Sequence, residues 1–135
     1  MDPAKQNQIM GYFIEEALEH LTTIEHGMLN LEAMLSDNEM VNEVFRAAHS
    51  IKGGAAMLGI TSVQNISHRL EDYFKILKDN SNIQVDRKLQ TLFLQCFDKL
   101  QELLDHLRGP FGLTQDDADA IMSDSEPLFT SLKEH

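Results

Sequence analysis

Apolar residues in this chain recur at intervals of three and four, and that spacing admits helices and excludes a half-buried sheet. The first stripe is Ile9, Phe13, Ala17, Leu21, Ile24, Met28, Leu31 and Leu35. It predicts one helix over residues 4–35. Ser36 and Glu39 then stand at capping-box spacing, before a second stripe of Val41, Val44, Ala48, Ile51, Ala55 and Leu58. Gly59 follows, where a helix end favours a left-handed residue, so this helix should span 38–58. Thr61 and Gln64 repeat the capping spacing and open a helix over 61–79, with Val63, Ile66, Leu70, Tyr73 or Phe74, and Leu77 inside. Asp79-Asn80-Ser81-Asn82 reads as a loop. Asp86 caps a fourth helix over 86–107, striped by Leu89, Phe93, Cys96, Leu100, Leu103 and Leu107. The breaker Arg108-Gly109-Pro110-Phe111-Gly112 precedes a weaker helix over 114–132, with acids in its first turn and Pro127 interrupting its end.

Four long amphipathic helices on short loops bury their stripes against one another as an up-down bundle. The expected fold is therefore all-α, a four-helix bundle with a fifth, C-terminal helix across one end or side. The chain of 135 residues is 42% apolar, which suits one core and one domain, 1–135. Its 11 basic and 22 acidic residues give −11, a charge that repels a phosphate backbone and argues against nucleic acid. Apolar runs fall far short of the roughly 20 residues that cross a bilayer, so no membrane insertion is expected. The start MDPAKQNQIMGYF lacks a basic-then-apolar export signal, and a cytoplasmic location is expected. The single cysteine, Cys96, lies on a core stripe and reads as an inert small hydrophobe. His20, His26, His106 and His135 read as surface residues.

One segment violates the rules of its own helix. His49-Ser50-Ile51-Lys52-Gly53-Gly54-Ala55-Ala56 places adjacent glycines mid-helix, at about 1 kcal/mol each against alanine. Such residues leave a helix face bare or admit another backbone. His49 follows the core position Ala48 and so lies about 100° round, toward solvent, on a flank shared with 52, 53 and 56. The helices 38–58 and 61–79 join around Ile60, so positions whose numbers average 60 should sit level. His49 then faces Glu71, and Lys52 faces His68. A carboxylate on one imidazole nitrogen fixes the tautomer and leaves the other nitrogen as a nucleophile. A neighbouring ammonium suits an incoming phosphoryl group. No Walker loop or glycine-rich nucleotide loop is present, so ATP has no site in this chain. A di-iron bundle would need Glu-x-x-His motifs, and none occurs, so no metal is expected.

The run Val44-Phe45-Arg46-Ala47-Ala48-His49-Ser50-Ile51-Lys52-Gly53-Gly54-Ala55-Ala56-Met57-Leu58-Gly59 resembles the histidine phosphotransfer (HPt) signature. It is most similar to the N-terminal phosphotransfer domain of chemotaxis kinases of the CheA type. The resemblance continues through His68-Arg69-Leu70-Glu71 and Leu92-Phe93-Leu94 and is weakest in the C-terminal helix. It implies that His49 accepts a phosphoryl group on its outward nitrogen, that Glu71 holds the other nitrogen, and that Lys52 and His68 support the charge. It also implies a donor, the ATP-binding catalytic domain of a histidine kinase, and an acceptor, an aspartate of a CheY-like receiver. The receiver would dock over Gly53, Gly54, Ala56, Met57 and Arg46. Met57 departs from the family, whose chemotaxis members often carry a smaller polar residue there. The domain would be a carrier within a larger CheA-like kinase. The alternative is a bundle that docks a receiver or kinase domain and never carries phosphate.

Overall fold

The computed structural model describes residues 3–79, 85–108 and 112–134, which form six helices and no strand. These are α1 (Pro3–Met28), α2 (Leu31–Leu35), α3 (Asn38–Leu58), α4 (Thr61–Asp79), α5 (Arg87–Arg108) and α6 (Gln115–Glu134). Helices α1, α3, α4 and α5 pack in a ring, each against its neighbours, while α6 lies along α5 and α4. The expected bundle with an added C-terminal helix is thus present. Asn80–Asn82 and Gly109–Phe111, expected as loop and breaker, lie outside the described residues, as does His135. No described helix is long and apolar enough to cross a membrane.

The expected helix over 4–35 is instead two. Leu29 and Asn30 form a turn, and Asn30 leaves helical geometry at φ −137° and ψ 64°. The break shifts the buried position from Leu35 to Met34, which packs at 1% exposure with Leu31. Close packing at the corner requires Gly27, since a Cβ there would stand 2.7 Å from both Met34 Sδ and Val44 Cγ2. Gln90 Nε2 on α5 donates to the Leu29 carbonyl oxygen at 2.8 Å, which satisfies a group that the turn leaves open.

Caps set the ends of α3. Asp37, rather than Ser36, is the N-cap: its Oδ1 accepts from the amides of Glu39 (3.1 Å) and Met40 (3.3 Å). The Ser36 hydroxyl donates backward to the Glu32 carbonyl, closing α2. At the other end Gly59 adopts φ +72°, and the amides of Gly59 and Ile60 close onto Ala56 and Ala55. Two residues then return the chain as α4, whose first helical residue is Thr61. Its Gln64 amide donates to the Ile60 carbonyl rather than entering a Thr61 capping box. Asp86 caps α5 through the Leu89 amide, and Thr114 caps α6 through the Asp117 amide.

The antiparallel register of α3 and α4 is also visible far from the turn, where Lys78 Nζ donates to Asn42 Oδ1 at 3.1 Å. Positions 42 and 78 average 60, the same register that the sequence predicts for 49 and 71. The helix α6 runs through Pro127 to Glu134 without interruption, and residues on both sides of the proline are bonded to α4. Arg69 makes a forked bond to Glu126 (2.6 and 3.3 Å) and lies 4.4 Å over the Phe129 ring. Tyr73 stacks on that ring and donates its hydroxyl to the Phe129 carbonyl at 3.2 Å.

Candidate functional site

The outer arc of α3 follows from its inner one. With Val44, Ala47, Ala48, Ile51 and Ala55 buried, the helix turns Arg46, His49, Ser50, Gly53, Ala56 and Met57 outward. Lys52 and Gly54 fall at the two edges and are half-buried. On α4 the inner face is Val63, Ile66, Ser67, Leu70, Glu71, Phe74 and Leu77, so Glu71 is a carboxylate at the border of the core.

Both oxygens of that carboxylate are engaged. His49 Nδ1 lies 3.0 Å from Glu71 Oε2, and Lys52 Nζ donates to Glu71 Oε1 at 3.0 Å. Side-chain exposure falls from 64% at His49 to 22% at Lys52 and 10% at Glu71. An ionised carboxylate only accepts, so Nδ1 of His49 carries the proton and donates it. The lone pair is then on Nε2, on a ring that is mostly in solvent. The ammonium neutralises a carboxylate that is nearly out of water, where an unpaired charge is costly. The expected pairing of His49 with Glu71 is present.

Positions 52 and 68 share that register, but their side chains take other partners: Lys52 bonds Glu71 rather than meeting His68. His68 Nε2 lies 3.4 Å from Asp72 Oδ2, one turn along α4, and both side chains are more than half exposed. For an ammonium, a carboxylate offers a full opposite charge and a better acceptor than an imidazole. The glycine pair also divides. A Cβ on Gly53 would meet nothing within 4 Å, so this is open surface. A Cβ on Gly54 would stand 2.7 Å from Phe13 Cδ1, so Gly54, half-buried, lies against the Phe13 ring of α1 rather than on the open strip. Of the other residues expected on that face, Ala56 and Met57 are exposed, and Arg46 is exposed with its Nε bonded to the Asn42 carbonyl.

Sequence reasoning missed Asp72 as the partner of His68, although the two stand at ordinary i,i+4 spacing. It also missed the hold of Arg69 and Tyr73 on α6, for which no local signal exists because the partners are more than fifty residues away. The thiol of Cys96 is buried, and that burial pushes it up to about 12, so it offers no competing nucleophile near neutral pH. Among the described residues no group of three His, Cys, Asp or Glu could hold a metal ion.

Residues 8–110 match the family model for the Hpt domain. The chemotaxis protein CheA of Klebsiella aerogenes is 39% identical over 93 residues, 69% of this chain and 14% of that protein. CheA of Rhizobium meliloti is 30% identical over 122 residues, 90% of this chain and 16% of that protein. CheA of Borreliella burgdorferi is 29% identical over 100 residues, 74% of this chain and 12% of that protein. The chain thus spans a small fraction of the length of the curated relatives it matches. Among solved structures, the phosphorylated P1 domain of CheA3 in complex with CheY6 from R. sphaeroides has the same fold, at TM-score 0.70 and 21% identity. That alignment covers 93% of this chain and 98% of the other.

Proposed function

The chain belongs to the Hpt domain family, and we propose that it is the phosphoryl carrier of a chemotaxis-type relay, with His49 as the residue that takes the group. One observation carries this reading: His49 Nδ1 is held by a nearly buried carboxylate while the rest of the ring stands in solvent. In the first step Nε2 attacks the γ-phosphorus of ATP bound by a histidine kinase catalytic domain. A P–N bond forms, the P–O bond to ADP breaks, and ADP leaves with the electron pair. Glu71 offsets the positive charge that develops on the imidazole, and Lys52 holds Glu71 in place. In the second step an aspartate oxygen of a CheY-like receiver attacks the phosphorus, the P–N bond breaks, and the pair returns to Nε2.

ATP stays with the partner, and this chain needs no cofactor of its own. Gly53, Ala56, Met57 and Arg46 form the landing surface beside the ring, while His68 has only a peripheral, solvent-screened influence. The work is cytoplasmic, where an ATP-dependent donor operates, and the carrier is the phosphotransfer domain of a longer CheA-like kinase.

The test is phosphorylation by a CheA-type catalytic domain with labelled ATP. One acid-labile, base-stable phosphate per chain is expected, absent from His49→Gln. Label that survives this substitution refutes the assignment. Gly53→Leu should still be phosphorylated but should pass the group to a receiver slowly. Unchanged transfer there removes the landing surface from the reading.

A further inference from the structure

Methionine in a bundle of this size usually fills irregular gaps in the core. Met28 and Met34 do so at 0% and 1% exposure, and Met10, Met40 and Met122 pack partly buried against the same core. Met57 does not. It is 88% exposed, well above Tyr12, Leu29, Ile76 and Ile9, the other exposed large apolar side chains. It stands on α3 about 12 Å beyond His49 along the axis and about 80° round from it. Gly53 lies between the two, and Ala56 lies beside it, so its thioether rises over a strip with almost no other side chain.

We propose that Met57 is an oxidation site through which peroxide-class oxidants weaken docking on the phosphotransfer face. The site itself is independent of the carrier reading, while its effect on a receiver rests on that reading. The reaction is a two-electron oxygen transfer. A sulfur lone pair attacks one peroxide oxygen, the S–O bond forms and the O–O bond breaks. The departing hydroxide takes the proton from the hydroxyl now on sulfur and leaves as water, so the sulfoxide forms, sulfur is oxidised and peroxide is reduced. The product sulfoxide is polar and chiral where the thioether was apolar and adaptable. A partner that buries this position must then desolvate a strong acceptor. A methionine sulfoxide reductase, with a dithiol as reductant, restores the thioether.

Exposure controls the rate of this chemistry, so the methionines of one chain serve as mutual controls. The folded chain is treated with hydrogen peroxide and digested, and each methionine peptide is followed for one added oxygen. Met57 should oxidise at least about tenfold faster than Met28 and Met34. A CheY-like receiver is then titrated against reduced and oxidised chain by calorimetry. Oxidised chain should bind about tenfold more weakly, near 1.4 kcal/mol. Met57→Leu should lose the response to peroxide, whatever its basal affinity. Oxidation of Met57 no faster than of the buried pair overturns the site. Equal weakening of Met57→Leu by peroxide overturns the coupling. A reduced chain that takes no phosphate and binds no receiver overturns the carrier reading and the coupling with it, while the peptide masses still decide the site.

Discussion

Lys52 donates to the same carboxylate that accepts from His49, with Nζ 3.0 Å from Glu71 Oε1. The ammonium therefore acts on the imidazole through Glu71. Lys52→Met keeps the stem and removes the charge, and should slow phosphorylation of His49 several-fold. Glu71→Ala removes the acceptor itself, and should cost about ten- to a hundredfold, the worth of one charge-assisted hydrogen bond of roughly 1.5–3 kcal/mol. The double variant should be no slower than Glu71→Ala, because residues acting through one another are not additive. Kinase-dependent labelling rates of the four proteins decide it, and strictly additive losses would show that Lys52 contacts the phosphoryl group directly.

Gly53 and Gly54 differ in what lies above them, so alanine should act in opposite senses. At Gly53 the space is open, and alanine should stabilise α3 by about 0.5–1 kcal/mol through helix propensity. At Gly54 the new methyl meets the Phe13 ring, and overpacking of about 1–3 kcal/mol outweighs that gain. Urea midpoints give the comparison. With Phe13→Ala in place, Gly54→Ala should become stabilising. If it stays destabilising there, the ring is not the obstacle.

The level partners across α3 and α4 were legible because the connection is only Gly59 and Ile60, and a left-handed glycine leaves it little freedom. Positions 49 and 71 could then be paired by counting, and Asn42 with Lys78 obeys the same count. The break after Met28 was not legible, since the step from Met28 to Leu31 keeps helical spacing whether or not the helix continues. Nor could counting separate the two glycines, because which one α1 covers depends on how two helices cross. The choice of Lys52 between His68 and Glu71 belongs to side-chain reach and charge, which a register does not contain.

Ser67 is fully buried on the α4 face that packs inward, and its hydroxyl has no partner among the described residues. A buried hydroxyl without a hydrogen bond costs roughly 1–3 kcal/mol. Ser67→Ala keeps nearly the same volume and should raise stability by about 1 kcal/mol. Thermal melts monitored by helix content check this. A loss of stability would mean that the hydroxyl is satisfied in solution.

The clamp on α6 should respond to acid. The Arg69 hydrogen bonds hold the Glu126 carboxyl below its ordinary 4.5, a pull greater than the opposing effect of burial. A group depressed in the folded state contributes its stabilisation above the unfolded value and loses it as pH falls through the folded one. At pH 7, Glu126→Gln should therefore lower the melting temperature, by an amount limited to about 1 kcal/mol because the Glu126 carboxylate is exposed and screened by water. The difference from the parent should close only as pH falls through the depressed folded-state range of Glu126, where the parent carboxyl also becomes neutral. The stacking of Arg69 on Phe129 has no such dependence, so Arg69→Gln should keep a deficit at low pH that Glu126→Gln does not. Melts of the three proteins from pH 7 to 3 separate the two contributions. Parallel curves across that range would mean that the Glu126 charge does not hold α6 to α4.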